Sequence, residues 1–518
     1  INFKKPADAE IKIKKLIDQY PSSSELLNLL GVSCIIQNKL EDAEKVYLKL
    51  IKLNKNFAEA YNNLGEIYFK QNKDEKAILN FKQALVISPK LDQANYNLAK
   101  IYTNLGNEFQ ANNNFEESIK NYKKAIEIKM DYVEAHNNLG IALQNLNRLD
   151  ESVISFKKAI KIKSNYFESH NNLGNILMKL RKYNDSIKSY QEAIKIKPDY
   201  VEAHSNLGAA LNEIGDFVKS NDHYKHAIKI KSDFEIAHNN LAASLISQGK
   251  IDDAIKFYKK AFEINPKKTQ YEINARLLMP AIPQSSNEIK LWRDKYNLSL
   301  DSLRNYNHKI DDPQKTVNPP GFNFSYSSFN NLEILKKVSD FFRFAAPIIN
   351  FKSKEKKNNE RKRIKIGFIS EFFTDHTIGK LYRGLINAID KKKFELVIFH
   401  FSKTKPGNIK DEIDLCAEKI VTLEGKIDSQ QKKIEKENLE IIFYPDIGMT
   451  SSTYFLAHAK LANVQIMGFG HPETSGISTI DYFLSSSFME SKDSNHFYSE
   501  KLICLDKIWF NYIPPNNY

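Results

Sequence analysis

The sequence predicts an all-α array of stacked helix pairs followed by an α/β lobe of Rossmann-like type, and three observations carry that expectation. An Asn-Leu-Gly beat returns at near-constant spacing through the first half of the chain. The period stops after Asn265-Pro266, and beyond about residue 364 short apolar runs alternate with amphipathic stretches. A fixed period of this size marks a stacked repeat, and the later alternation marks a parallel sheet covered on both faces.

The beat runs Asn63-Leu64-Gly65, Asn97-Leu98-Ala99, Asn138-Leu139-Gly140, Asn172-Leu173-Gly174, Asn206-Leu207-Gly208 and Asn240-Leu241-Ala242, after a weaker Leu29-Leu30-Gly31. Its third residues step by 34, 34, 41, 34, 34 and 34. With Gly65 as position 8, Tyr61, Leu64, Tyr68, Ala77, Phe81, Ala84 and Pro89 fall on the marks of the tetratricopeptide repeat. Positions 4, 7, 8 and 11 share one stripe of the first helix. The small residue at 8 admits the second helix, and Pro at 32 ends it. The array is expected over residues 1–268 as a superhelix. The seven additional residues of the long step make close to two helical turns. The segment Tyr102–Phe115 therefore either lengthens the helices in phase or loops out at Asn112-Asn113-Asn114.

Two columns run along the array. His136, His170, His204 and His238 occupy position 4. Equivalent positions of stacked helices are on the order of 9 Å apart, whereas metal ligands sit about 2.1 Å from one ion, so these rings are expected to pack. Position 6 lies roughly 180° from the buried stripe. It puts Asn63, Asn97, Asn138, Asn172, Asn206 and Asn240 on the inner face, where amides can hold an extended polypeptide through its backbone. The plainer alternative is that Asn is abundant here and solvated.

Residues 269–363 read as a helical connector with breaks at Pro280 and Pro283, a Pro/Gly loop over Asp311–Phe324, a helix over Leu332–Phe351 and a basic tether to Lys365. Over residues 364–518, buried strands are expected at Ile364–Ser370, Phe394–Phe401, Ile420–Leu423, Ile441–Pro445, Val464–Phe469 and Tyr482–Ser485, with helices between. Ligands of such sheets bind at the carboxyl ends of the strands. That singles out the loops Glu371–Thr377, Asp446–Thr450 and Gly470–Ile477, and within them His376 and His471.

Several classes drop out. The dinucleotide fingerprint fails at Glu473, and no P-loop, Gly-x-Ser-x-Gly or metal-spaced cluster is present. The net charge of +13 is spread over 518 residues with no nucleic-acid motif beside it. Three scattered cysteines and no long apolar run fit a cytoplasmic protein with no membrane partner.

Repeats with an Asn column, a helical connector and Asp375-His376-Thr-Ile-Gly379 resemble the protein O-GlcNAc transferases, the bacterial members most closely. Five further blocks carry the resemblance: Tyr444–Met449, Tyr454–Ala457, Gly470–Gly476, Ile480–Phe483 and Tyr498–Leu502. It implies the first half of a GT-B glycosyltransferase, with inverting, metal-independent transfer of a sugar from a UDP-sugar, GlcNAc foremost, to Ser/Thr. The acceptor protein would lie along the repeat groove, and no cofactor is implied. His376 matches the family's histidine at the acceptor hydroxyl, considered there as general base. Gly470, His471, Pro472, Thr474, Ser475 and Gly476 match the loop on the sugar and diphosphate side, and Asp446 and Gly448 match the loop after the fourth strand.

Two residues depart from the family. His471 replaces an aromatic residue and Glu473 a small one, so sugar preference is expected to differ. The Tyr444–Met449 block is shared with bacterial N-glucosyltransferases acting on Asn, which leaves that reading open, as does a non-catalytic peptide-binding scaffold. The resemblance also implies a second, nucleotide-binding lobe. The chain opens on Ile1 and stops at Tyr518, about where that lobe would begin, which suggests a truncated reading frame and little or no activity of these 518 residues alone.

Overall fold

A glycine set against an aromatic ring builds the helix pairs of the array before the last, where Ala242 takes its place. A Cβ on Gly65, Gly140, Gly174 or Gly208 would stand 2.5–2.8 Å from the ring of Phe81, Phe156, Tyr190 or Tyr224, so in these pairs glycine lets the second helix approach. The first helix of a pair has 13 residues and the second 14, as in Ala58–Lys70 with Asp74–Ile87 and Val133–Asn145 with Leu149–Ile162. In the later repeats Ser152, Ser186 and Ser220 each donate to the carbonyl of the facing glycine at 2.7–2.8 Å. This computed structural model describes residues 6–280, 285–304, 309–317, 324, 329–354, 362–468 and 473–506.

The long step resolves as a single extended helix, Asp92–Ala111, of 20 residues. Its surplus over the usual 13 equals the surplus of the 41-residue step. Gly106 meets Tyr122, where a Cβ would stand 2.5 Å from the ring, and so does the work assigned by sequence to Ala99. One helix thus carries two beats, Asn97-Leu98-Ala99 and Asn104-Leu105-Gly106. Seven residues fall only about 20° short of two full turns, so both beats share a face. The looped-out alternative does not occur. Asn113, at φ +58°, is the ordinary left-handed turn residue between two helices, like Asn72 at +57° and Asn147 at +60°.

The position-4 histidines tie the turns between repeats. His136, His170 and His204 donate from Nε2 to the carbonyls of Met130, Ser164 and Pro198 at 2.9–3.0 Å. His204 also sets its Nδ1 3.1 Å from His223 Nδ1, and its ring lies 4.3 Å from that of His226. Burial pushes His136, His204 and His223 below the ordinary imidazole value, which favours their neutral forms in the fold. Stability from such groups is present above the unfolded value of about 6.5 and is lost as pH falls through it. The array's melting temperature is therefore expected to drop between about pH 8 and about pH 5. His204→Tyr, which restores the aromatic found at Tyr61, should recover part of that drop in a circular-dichroism melt. An equal drop in the variant would contradict the assignment.

Two compact units divide between Ser232 and Asp233, inside the array expected to run to residue 268. The second unit holds the last repeat (Glu235–Ser247 and Ile251–Ile264), the connector helices and the sheet. The connector is built into the lobe. Its amphipathic helix Leu332–Ala345 buries Leu335, Val338, Phe341 and Phe342, with Phe342 edge-on to Phe455 at 5.0 Å. Ser339 reaches the buried His458 at 3.2 Å, and Pro347 opens a short 3-10 turn where the sequence reading continued the helix.

The sheet is wholly parallel. Its strands are β1 (Ile364–Ser370), β2 (Phe394–Phe401), β3 (Lys419–Leu423), β4 (Ile441–Tyr444), β5 (Val464–Met467), β6 (Tyr482–Ser486) and β7 (Lys501–Leu505), in the order β3-β2-β1-β4-β5-β6-β7. Ile366 of β1 lies between Leu396 of β2 and Ile441 of β4. The core on one face gathers Ile366, Phe368, Ile378, Tyr382, Ile398 and Phe443, with Phe368 stacked on Phe443 at 5.3 Å. β7 was not foreseen. It is an edge strand with no fully buried residue, and its apolar content is four consecutive residues, Leu502–Leu505.

Candidate functional site

Strand order locates the site. From β1 the chain winds outward through β2 and β3, then returns to β1's other side and winds the opposite way through β4 to β7. The loops leaving β1 and β4 diverge at this reversal, which opens a crevice at the carboxyl edge where ligands of doubly wound sheets bind. The loops singled out by sequence follow β1, β4 and β5, three adjacent strands.

After β1, His376 caps the helix Thr377–Ala388 by accepting the Ile378 N–H on Nδ1 at 3.2 Å. Its ring stacks on Phe372 at 4.3 Å. Burial, then the Lys380 charge, push its pKa down, so the ring is held neutral. With Nδ1 accepting, the one proton of a neutral imidazole resides on Nε2. Two contacts fix this loop. Asp375 accepts from Ile409 N–H at 3.4 Å, and a Cβ on Gly379 would come within 2.1 Å of the Thr374 carbonyl oxygen.

After β4, Asp446 is fully buried. Burial, with the Glu371 charge from the β1 loop adding to it, pushes its carboxyl up to about 8, against the pull of the Ser370 hydroxyl. Near neutrality the group keeps its proton and brings no negative charge to the cleft. Its carbonyl accepts from Met449 N–H and from the Thr453 hydroxyl, both at 3.2 Å, around Gly448 at φ +91°.

After β5, Gly470, His471 and Pro472 lie outside the described residues. Thr474 and Ser475 are buried, and both hydroxyls donate to Glu500 rather than facing open space. Gly476, at φ +69°, presses on the connector: a Cβ there would stand 2.4 Å from the Leu335 carbonyl carbon. Glu473 accepts from Asn331 Nδ2 at 2.6 Å, and Asn331 is held in turn by Arg293. The residue that departs from the family pattern therefore joins loop to connector.

Sequence reasoning gave no role to Glu371 or Glu500, although each lies in a segment it singled out, and it missed Asn331 and the buried His400, whose Nε2–H donates to Asp414 at 2.5 Å from the carboxyl end of β2. A histidine at a strand's end was a visible signal; its aspartate, a helix away, was not. Among the described residues no group of three or more His, Cys, Asp or Glu is disposed to hold a metal ion, and no helix is long and apolar enough to cross a membrane.

The Asn column is half-buried, and it is bonded along the array. Asn63, Asn97, Asn172 and Asn206 donate from Nδ2 to the amide oxygens of Asn28, Asn62, Asn137 and Asn171, one repeat earlier, at 3.0–3.2 Å. Asn138, across the long helix, donates to Asn107 at 2.9 Å, and Asn240 accepts from Asn239 at 3.1 Å. An amide has two N–H donors and two lone pairs. In Asn97, Asn138, Asn172 and Asn206 one N–H is committed to the neighbouring helix pair, whereas Asn63 spends its second on the Tyr47 hydroxyl at 3.0 Å.

Comparison with known proteins follows this division. Residues 31–72, 65–106, 106–147 and 174–215 match a TPR repeat profile, and 133–166 and 236–268 match tetratricopeptide repeat profiles. Residues 337–512 match glycosyl transferase family 41. The chain is 24% identical over 150 residues to a probable UDP-N-acetylglucosamine–peptide N-acetylglucosaminyltransferase, SEC, of Arabidopsis thaliana, covering 29% of this chain and 15% of that protein. It is 24% identical over 154 residues to a UDP-glucose:protein N-beta-glucosyltransferase of Actinobacillus pleuropneumoniae serotype 5b, covering 30% of this chain and 24% of that protein. Among solved structures, an O-GlcNAc transferase mutant of Thermobaculum terrenum aligns with a TM-score of 0.48 at 15% identity, covering 68% of this chain and 59% of that one. The aligned parts thus span less than two thirds of each of these relatives.

Proposed function

We propose, from a chain in which tetratricopeptide repeats precede a glycosyl transferase family 41 region, that the protein transfers a sugar from a UDP-sugar to Ser or Thr of acceptor proteins in the cytoplasm. The observation that carries this reading is the adjacency of β1, β4 and β5, whose loops leave the sheet side by side at its reversal, inside residues 337–512. Asp446 and Gly448 shape the sugar and diphosphate side of the cleft, and the neutral state of Asp446 suits an anionic ligand. His376 presents an N–H on Nε2, so it serves as hydrogen-bond donor to a reacting oxygen, a preorganised stabiliser of developing charge. It is not the general base in this tautomer. No metal takes part, and inversion follows from direct displacement at the anomeric carbon. GlcNAc is the favoured sugar. Identity to the peptide N-acetylglucosaminyltransferase and to the protein N-beta-glucosyltransferase is equal, at 24%, so the linkage must be read on the product.

The Asn ladder holds the acceptor backbone. Its amides are already ordered by bonds between repeats, so little freedom is lost when a peptide binds. The protein expressed from its whole reading frame and its Asn138/Asn172/Asn206→Ala variant should be compared by mass spectrometry of the modified residue. The expected result is sugar on Ser or Thr, a KM for a long acceptor raised at least about fivefold in the variant, and little change for a short peptide. Sugar on Asn would establish the N-glucosyltransferase reading, and unchanged acceptor KM would remove the ladder from recognition. Acceptor binding with no sugar transferred would establish a scaffold.

A further inference from the structure

We propose that Glu500 is the positioning residue of the loop Glu473–Gly476, and that the hydroxyls of Thr474 and Ser475 serve Glu500 and not the sugar nucleotide. The proposal rests on the reading of this cleft as a sugar-nucleotide site. Glu500 is 5% exposed and precedes β7 at the sheet's edge. Its Oε2 accepts from the Thr474 hydroxyl at 2.6 Å, and its Oε1 accepts from Ser475 N–H at 2.9 Å and from the Ser475 hydroxyl. A carboxylate buried this far is tolerated only with such donors around it.

The count of donors and lone pairs decides between protein and ligand. A hydroxyl has one hydrogen and two lone pairs. Thr474 gives its hydrogen to Glu500 and accepts from Ser499 N–H at 3.0 Å, from the Ser499 hydroxyl at 2.9 Å and, more weakly, from Gly476 N–H at 3.4 Å. Nothing is left for a diphosphate oxygen. Ser475 gives its hydrogen to Glu500 and accepts from Ile477 N–H at 3.1 Å. Neither side chain can donate to an anion without releasing Glu500.

The loop is clamped from the other flank as well. Glu473 is bonded to Asn331, and Gly476 lies against the Leu335–Lys336 backbone of the connector helix. Connector and β7 segment thus hold one short loop between them, and its contribution to the cleft is the path of its backbone. Family-level reasoning assigns Thr474 and Ser475 to the substrate; their bonding here assigns them to Glu500.

A double-mutant cycle on kcat/KM for the UDP-sugar separates the two, using the protein expressed from its whole reading frame. Thr474→Val should lower kcat/KM about fivefold in the wild type and less than about twofold in Glu500→Ala, because the hydroxyl's partner is already gone. Glu500→Gln keeps an acceptor for Ser475 and turns an N–H toward Thr474, which can accept it by giving its own hydrogen to the Ser499 hydroxyl, so it should recover a large part of the Glu500→Ala loss. An equal fold loss from Thr474→Val in both backgrounds would mean the hydroxyl meets the donor directly, and would overturn the proposal. Should Glu500→Ala not fold, the same cycle is run against Glu500→Gln with Ser475→Ala. Wild-type turnover is measured first. Absence of transfer from every UDP-sugar would defeat the enzymatic reading alone; the cycle is then read in melting temperature, where strict additivity overturns the clamp and coupling supports it.

Discussion

Gly476→Ala should be among the most damaging single-methyl changes in the second unit. Two penalties coincide at this residue. Its φ of +69° is a conformation that costs an L-residue about 1–2 kcal/mol. The added carbon would also stand 2.4 Å from the carbonyl carbon of Leu335 and 2.7 Å from Lys336 N, backbone atoms inside a packed helix that cannot swing away. Forced overpacking of this kind costs typically about 1–3 kcal/mol. A combined loss of about 3 kcal/mol corresponds to roughly 5–10 °C in the melting of this unit. Transfer should fall at least about tenfold as the loop leaves the connector. Gly425→Ala, in the same unit, is the control: its φ is +77°, yet the new carbon would meet only Ser429 at 3.7 Å, an ordinary van der Waals contact, so only the backbone penalty should appear. Equal melting of the two variants would show that the contact with Leu335 is not tight in solution.

Much of this architecture was legible because the repeat speaks through periodicity. A 34-residue step, a glycine at position 8 and an aromatic sixteen residues later are local facts, and the contact between Gly174 and Tyr190 follows from them. The same rule misplaced the packing residue of the long helix. Ala99 and Gly106 both follow Asn-Leu, and only packing shows which one meets Tyr122. In the lobe, buried strands announced themselves as apolar runs, whereas β7, exposed along the edge, did not. The site was legible in outline, since loops after strands carry ligands. Its supports were not. Glu500 meets Thr474 from 26 residues away and Glu473 meets Asn331 from 142 residues away, separations at which nothing in local pattern pairs two side chains.

His376→Ala should lower kcat at least about tenfold, since the loss of one preorganised donor at a developing charge costs on the order of a hundredfold when fully expressed. A structural contribution accompanies it: the cap on Ile378 N–H disappears, worth about 1 kcal/mol of helix stability. His376→Gln distinguishes the chemical role. A glutamine side chain donates an N–H but cannot take a proton, so a donor role predicts partial recovery of kcat and a general-base role predicts none. The tautomer set by Ile378 favours recovery.

The most direct measurement is the intact mass of an acceptor protein incubated with UDP-sugars and the protein expressed from its whole reading frame, followed over time beside the His376→Ala variant. The expected result is the addition of single sugar units on Ser or Thr, fastest with UDP-GlcNAc, at a rate at least about tenfold lower in the variant. No added mass with any UDP-sugar would contradict glycosyl transfer, and an undiminished rate in the variant would remove His376 from the site.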